Sequence, residues 1–356
     1  MLHTAAASPD RAAIATAAPE QPDATPALEV RNLTTDFRTR HGRLRAVDGV
    51  SFTVPKGRVL AVIGESGSGK SAMLRSIIGI QPPTAAVGGE VLVGGRDLLR
   101  LSPRQRARTR GRDVAMIFQD PLTALDPVFT IERQLTETIR RHMDVSRAEA
   151  RERAIDLLRM VQIPSPKERL GAYPFELSGG MRQRVVIAMA LSCNPKVLLA
   201  DEPTTALDVT VQARILDLVR ELQSGSDMGV VIVTHDLAVA AEVADDVAVM
   251  YAGRFVESGP VADVLLDPAH PYTIGLLEAN VRPGQSTPPK PIPGSPPSLA
   301  RLPAGCAFAP RCEHATVACW RERPALVELG PQRTSRCPVL AADRAPRLPE
   351  GAAAHA

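Results

Sequence analysis

A single glycine-rich segment, Gly64-Glu65-Ser66-Gly67-Ser68-Gly69-Lys70-Ser71, constrains this chain more than any other, because it fits the spacing G-x-x-x-x-G-K-[ST]. Glycines at these positions let the backbone wrap closely round an anion and turn successive N–H groups inward. Residues 58–63 before it are short, apolar and β-branched, as a buried strand requires, and residues 71–80 after it have a helical pattern. A helix that starts at such a loop adds roughly half a positive charge. The expected site is a phosphate cradle built from Gly64, Glu65, Ser66, Gly67, Ser68, Gly69 and Ala72. Lys70 would reach the β- and γ-phosphates, and Ser71 would give Mg²⁺ a hydroxyl ligand. On its own the segment does not say which class of nucleotide hydrolase this is.

The wider pattern is α/β. Residues 28–37 and 47–54 read as strands around a polar loop at 38–45, with the turn Pro55-Lys56-Gly57 after the second. Residues 122–180 change to helical texture, with Ser146 and Glu149 as a capping box and Ala150, Ala154, Leu157 and Val161 at helical spacing. Beyond Ser178 come a helix, a buried strand (197–200), a helix (209–223) and another buried strand (230–233). Strands alternating with helices imply a mainly parallel sheet covered on both faces. Five units follow: a disordered leader (1–27), a main unit (28–280) holding the helical insert, a Pro-rich connector (281–303), a Cys-rich module (304–340) and a disordered tail (341–356).

Composition excludes several classes. The 42 Lys+Arg against 39 Asp+Glu leave a net charge of +3, which gives no reason to expect a nucleic acid partner. Apolar runs such as 185–191 and 230–233 fall far short of the ~18–20 residues of a spanning helix. A chain of this kind working at a membrane must dock onto something that spans it. The leader, with Asp10 and Glu20 and no continuous apolar stretch, is no signal peptide. The chain is expected in the cytosol, where its cysteines form no structural disulfides, and Cys193 reads as a buried core thiol.

Acids and a histidine at strand ends complete the expected site. Val197-Leu198-Leu199-Ala200-Asp201-Glu202 is a buried strand that ends in two carboxylates, at the mouth where parallel sheets bind ligands. Asp201 would hold Mg²⁺, and Glu202 would polarise the attacking water as general base. His235 follows the strand at 230–233 and would contact the γ-phosphate. Gln119 ends the apolar segment 114–118, from where its amide can reach Mg²⁺ or the lytic water and also open the helical insert.

Leu177-Ser178-Gly179-Gly180-Met181-Arg182-Gln183-Arg184 resembles the signature of ATP-binding cassette (ABC) ATPases, L-S-G-G-x-x-Q-R. The other motifs of that family occur in order around it. The resemblance implies a P-loop NTPase cassette with a mainly parallel core, an antiparallel β-subdomain and the inserted helical subdomain. It implies two cassettes paired head-to-tail, with Ser178, Gly179, Gly180 and Gln183 of one closing on the ATP held by the other. It adds Phe37 as the aromatic that stacks on adenine and a D-loop, Thr205-Ala206-Leu207-Asp208, with Asp208 at the nucleotide. Residues 126–131 are placed where a permease's coupling helix docks. His270-Pro271-Tyr272-Thr273 and Gly305-Cys306-Ala307-Phe308-Ala309-Pro310-Arg311-Cys312 resemble the C-terminal extension of oligopeptide and dipeptide importer ATPases, with nickel importers close by. This implies ATP hydrolysis that energises uptake on the cytoplasmic face of the cell membrane. The expected partners are a second cassette, two permease subunits and an extracytoplasmic substrate-binding protein. Transport of nickel or another small solute, a non-transport ABC ATPase, and a regulatory cassette are the competing readings.

Cys306, Cys312, Cys319 and Cys337 are separated by 5, 6 and 17 residues. Four thiolates within about 30 residues suit a tetrahedral metal or a cubane cluster. The gaps lack the C-x₂-C pairing of small zinc modules and fit a [4Fe–4S] cluster better; some members of the resembled family carry one. Zinc and packed free thiols are the alternatives. A module this small has little core, so a bound metal would supply folding energy.

Overall fold

The computed structural model describes residues 25–40, 42–203, 209–224, 226–280 and 288–341. The leader through residue 24, residues 204–208 with the D-loop (205–208), the start of the connector at 281–287 and the tail from 342 lie outside them. Twelve strands are present among the described residues: β1 (Leu28–Thr39), β2 (Gly42–Val54), β3 (Val59–Ile63), β4 (Ala85–Val93), β5 (Arg96–Asp97), β6 (Val114–Ile117), β7 (Val197–Asp201), β8 (Gly229–Thr234), β9 (Asp246–Tyr251), β10 (Arg254–Pro260), β11 (Val327–Gly330) and β12 (Arg333–Ser335). They form an antiparallel sheet in the order β2-β1-β4-β5 and a larger sheet in the order β11-β12-β10-β9-β3-β8-β7-β6. In the larger sheet β9, β3, β8, β7 and β6 are parallel.

Period-two alternation splits each central strand between the two faces. Leu198 and Ala200 of β7 pack with Val230 and Ile232 of β8 against Ile155 and Leu158 of the helical insert and against Val185 and Ala188 of the helix Gly179–Leu191 that follows it. Val197 and Leu199 face the other way, with Val231 and Val233, onto helix Lys70–Ile78 and the antiparallel sheet. That helix is anchored by Met73, Leu74 and Ile77, all fully buried. Each such side chain contributes roughly 2 kcal/mol of burial.

The insert comprises helices Pro121–Ala124, Ile131–His142, Arg147–Met160 and Pro166–Arg169, then the turn Pro174–Glu176. The capping box forms as expected: Glu149 N donates to Ser146 Oγ at 3.2 Å, and Ser146 N donates to Glu149 Oε2 at 2.7 Å. Ala150, Ala154, Leu157 and Val161 are all buried.

Two expectations are corrected. The polar stretch at 38–45 is not a loop, because β1 continues to Thr39 and β2 starts at Gly42. Its charges are cross-strand partners: Asp36, 4% exposed, accepts from Arg43 at 2.5 Å and Arg45 at 2.9 Å. The two guanidiniums hold its carboxyl at about 2. Cys193 is half-buried rather than in the core. It lies beyond the end of helix Gly179–Leu191, in a turn whose Asn194 has φ 50°.

The sequence at 246–260 forms a hairpin whose two-residue turn, Ala252-Gly253, has positive φ at both positions, 48° and 84°. Such a turn matches the twist of the flanking strands. The C-terminal residues extend the same sheet, since β12 pairs with β10 at Glu257↔Ser335 and Ser258↔Thr334. Residues 288–303 contain no helix or strand but place Ile292, Leu299 and Leu302 against the cluster of Tyr251, Tyr272 and Phe308. His270 caps helix Pro271–Ala279, its Nδ1 accepting from Tyr272 N at 3.1 Å. Burial pulls the His270 imidazole down to about 3, so the ring stays neutral and able to accept.

Glu257 of β10 joins these parts. Its carboxylate is fully buried and accepts from Ala269 N at 2.7 Å and His270 N at 3.0 Å. Glu257→Ala would orphan both donors, and each buried unpaired N–H costs about 1–3 kcal/mol. The variant is expected to lose roughly 2–4 kcal/mol in chemical denaturation; an unchanged midpoint would contradict this role.

Candidate active site

The glycine-rich loop leaves β3 and enters helix Lys70–Ile78 directly, with Gly69 as its N-cap at φ 110°. Two of its glycines are sterically required. Gly64 has φ 152°, and a Cβ there would overlap the Met250 carbonyl of β9; a Cβ on Gly69 would overlap the Ala46 carbonyl of β2. The cradle is therefore moulded by two neighbouring strands as well as by its own sequence.

Lys70 is buried, and its Nζ donates to the carbonyls of Gly64 at 2.7 Å and Glu65 at 2.9 Å. Burial pulls its ammonium pKa down, opposed by the carboxylates of Glu202, Asp201 and Glu65. Ser71 Oγ donates to Asp201 Oδ1 at 2.8 Å, joining the start of the helix to the end of β7. Burial pushes the Asp201 carboxyl up, against the Ser71 hydroxyl and the charges of Arg75 and Lys70.

Glu202 follows β7 in the left-handed region, at φ 47°, where a non-glycine residue costs of order 1–3 kcal/mol. Its N–H is held by the Val233 carbonyl of β8 at 2.9 Å. This turn aims the carboxylate between the ends of β6 and β8: Gln119 Nε2 donates to Glu202 Oε2 at 3.0 Å, and His235 Nδ1 lies 3.4 Å from the same oxygen. Glu202, Gln119 and His235 thus meet at the ends of three parallel strands, beside the Ser71–Asp201 pair.

The remaining expected residues fall elsewhere. Ser178 caps helix Gly179–Leu191, its Oγ accepting from Met181 N at 3.3 Å. Ser178 and Gly179 are exposed and Gly180 is half-buried, so this helix start faces outward. Gln183 is 2% exposed and donates its amide to the Pro203 carbonyl at 2.7 Å, bracing the turn after Glu202. Phe37 is half-buried on β1, opposite Leu44 and Ala85. Asp208 lies outside the described residues.

ATP with Mg²⁺ fits the donor set. Ser68 Oγ is buried in the loop without a hydrogen-bond partner, where a phosphate oxygen could accept. Ser71, Asp201 and Gln119 offer oxygen ligands of the kind Mg²⁺ prefers.

All four C-terminal cysteines line one small cavity, with Phe308, Ala309 and Pro338 among its walls. Backbone N–H groups are directed at three of the sulfurs: Phe308 and Ala309 at Cys306, His314 at Cys312, and Leu340 at Cys337 at 3.4 Å. Burial pushes the Cys306 and Cys312 thiols up. Among the described residues no three His, Cys, Asp or Glu side chains close around a single ion.

Sequence reasoning did not find two contacts to the loop. Tyr272 OH accepts from Glu65 N at 2.8 Å, and Arg311 pairs with the Glu65 carboxylate. Both partners lie more than 200 residues away, and no local pattern marks them.

The ABC transporter family matches residues 47–205, and the family described as the oligopeptide/dipeptide transporter C-terminal region matches residues 256–319. The chain is 48% identical to the dipeptide transport ATP-binding protein DppD of Bacillus subtilis, over 87% of this chain and 93% of that one. It is 46% identical to the oligopeptide transport ATP-binding protein OppD of the same organism, over 85% and 86%. The fold is similar to the dimeric ATP-binding cassette MJ0796 bound to ADP and Pi, with TM-score 0.60 and 29% identity over 66% of this chain and 98% of that one.

The crowding at Gly64 generates a prediction. Gly64→Ala should cut ATP turnover by roughly 100-fold, the scale of a 1 Å misplacement at a catalytic site, and weaken ATP binding, in a chain that still folds. Near-normal affinity in an equilibrium titration would show that the loop geometry is not what binds the anion.

Proposed function

Because this chain belongs to the ATP-binding proteins of ABC transporters that carry the oligopeptide/dipeptide transporter C-terminal region, we propose that it hydrolyses ATP to drive uptake of small peptides through a membrane permease. The observation that carries the reading is Glu202, held by Gln119 and 3.4 Å from His235 at the strand ends beside the Ser71–Asp201 pair.

The loop backbone and Lys70 bind the triphosphate. Ser71, Asp201 and Gln119 would hold Mg²⁺, which when bound would neutralise negative charge on the triphosphate. The Glu202 carboxylate takes the proton of the attacking water as it adds to the γ-phosphorus, and the β–γ bridging oxygen leaves with ADP. His235 orients that carboxylate and contacts the γ-phosphate. Gln119 reports on the occupied site to the helical insert, since it stands at the insert's entrance.

The outward Ser178 helix start serves a second cassette rather than the chain's own loop. The hydrolytic unit is a pair, and Asp208 is assigned to the interface of that pair. Phe37 is assigned to adenine. Among the described residues no helix is long and apolar enough to cross a membrane, and two permease subunits with an extracytoplasmic binding protein complete the importer. Residues 126–131 receive the permease's coupling segment; Val128 there is apolar and 68% exposed. The chain works on the cytoplasmic face of the membrane.

We also propose that Cys306, Cys312, Cys319 and Cys337 hold a [4Fe–4S] cluster. The shared cavity and the N–H groups aimed at three sulfurs support this, since such hydrogen bonds stabilise thiolate ligands. The cluster would add folding energy to a segment rich in loops.

Three measurements follow. Glu202→Gln should cut the turnover number by about 100-fold or more with ATP binding retained, and turnover at the normal rate would remove Glu202 as the base. With permease and binding protein reconstituted in vesicles, dipeptides should raise ATP hydrolysis; stimulation by Ni²⁺ and not by peptides would overturn the substrate assignment. Anaerobically purified protein should contain iron and acid-labile sulfide in equal amounts, whereas zinc or metal-free protein would overturn the cluster.

A further inference from the structure

The phosphate loop contains a carboxylate, Glu65, in a place where a second anion must bind. Both oxygens of Glu65 accept from Arg311, Nη1 to Oε2 at 2.7 Å and Nη2 to Oε1 at 3.0 Å. This two-pronged match needs a planar guanidinium and is not reproduced by lysine. The Arg311 side chain is 5% exposed. Its Nε donates to the Pro293 carbonyl at 2.8 Å, and Nη1 also reaches Tyr251 OH at 3.4 Å.

The backbone of the same loop residue is held as well. Glu65 N donates to Tyr272 OH at 2.8 Å. The Tyr272 ring is fixed between Tyr251 and Phe308, at centroid distances of 4.4 and 5.4 Å. Main chain and side chain of Glu65 are thus set by residues 207 and 246 positions further along, both in the C-terminal region. The Glu65 carboxylate also acts on the Lys70 ammonium through space. Left unpaired, it would compete with the triphosphate for Lys70 and repel the incoming anion.

We infer that Arg311 and Tyr272 are positioning residues for nucleotide binding: Arg311 neutralises Glu65 and holds it off the anion, and Tyr272 fixes the Glu65 peptide so that the N–H groups after it face inward. The inference rests on residues 64–71 being the nucleotide cradle. It gives the C-terminal region a direct part in ATP binding. Arg311 ends the turn Ala309–Arg311 immediately before Cys312, so the thiol-lined cavity and the cradle share one short segment.

A double-mutant cycle tests the inference, with ATP and Mg²⁺ titrated onto the full chain and turnover measured in parallel. R311M should weaken ATP binding about tenfold, raising KM with the turnover number at saturation little changed. R311M/E65Q should recover to within about threefold of E65Q alone, because the offending charge is gone. A purely structural role for Arg311 predicts no such rescue, so a double variant as weak as R311M overturns the inference, as does R311M with normal affinity. Should R311M not fold, R311K and Y272F, which keep the local packing, decide: both should weaken binding, and normal affinity in both overturns it. Failure of the unsubstituted chain to bind ATP would instead defeat the cassette reading on which the inference rests.

Discussion

Four neighbouring parallel strands, β3, β8, β7 and β6, are buried along their whole length. Helices and the antiparallel sheet cover both faces, so no polar side chain can leave the sheet sideways without losing its hydration. Chemistry is confined to the strand ends, where the backbone turns out of the sheet. The loop after β3 supplies N–H groups and Lys70, β7 supplies Asp201 and Glu202, and Gln119 and His235 follow β6 and β8. The Ser71–Asp201 hydrogen bond and the grip of Val233 on Glu202 N lock three of these ends together. The left-handed backbone at Glu202 is the local cost of turning that carboxylate toward its partners.

The same constraint brings the C-terminal region against the glycine-rich loop. Residues after 254 add β10, β12 and β11 to the sheet edge next to β9, and β9 supplies the Met250 carbonyl that packs against Gly64. Tyr272 and Arg311 then reach the loop from that side. A region that the connector at 281–303 sets apart in the sequence is in contact with the glycine-rich loop in space.

Much of the site was legible because its signals are local. The glycine spacing at 64–71, the β-branched run before it, the acids ending β7 and the histidine after β8 are each contained within about ten residues. The capping box at Ser146 and Glu149 is likewise a contact three residues apart. What escaped depends on distant partners. The charges at 38–45 read as a loop because their cross-strand pairing with Asp36 is invisible to a hydropathy pattern. The hairpin of β9 and β10 has a local sign as well, Gly253 between two apolar runs. The bonds of Tyr272 and Arg311 to Glu65 carry no local trace. Gln183 also has a partner distant in sequence: within the segment 177–184, its buried amide is donated to the Pro203 carbonyl.

In the proposed pair, one triphosphate is shared between the cradle of one cassette and the Ser178 helix start of another. Molar mass in solution tests this most directly, using the slow Glu202→Gln chain together with its partner cassette, with and without ATP. A dimer is expected only when ATP is present, and it should be lost when Ser178→Arg is added to both cassettes. A molar mass that ATP does not change would contradict it.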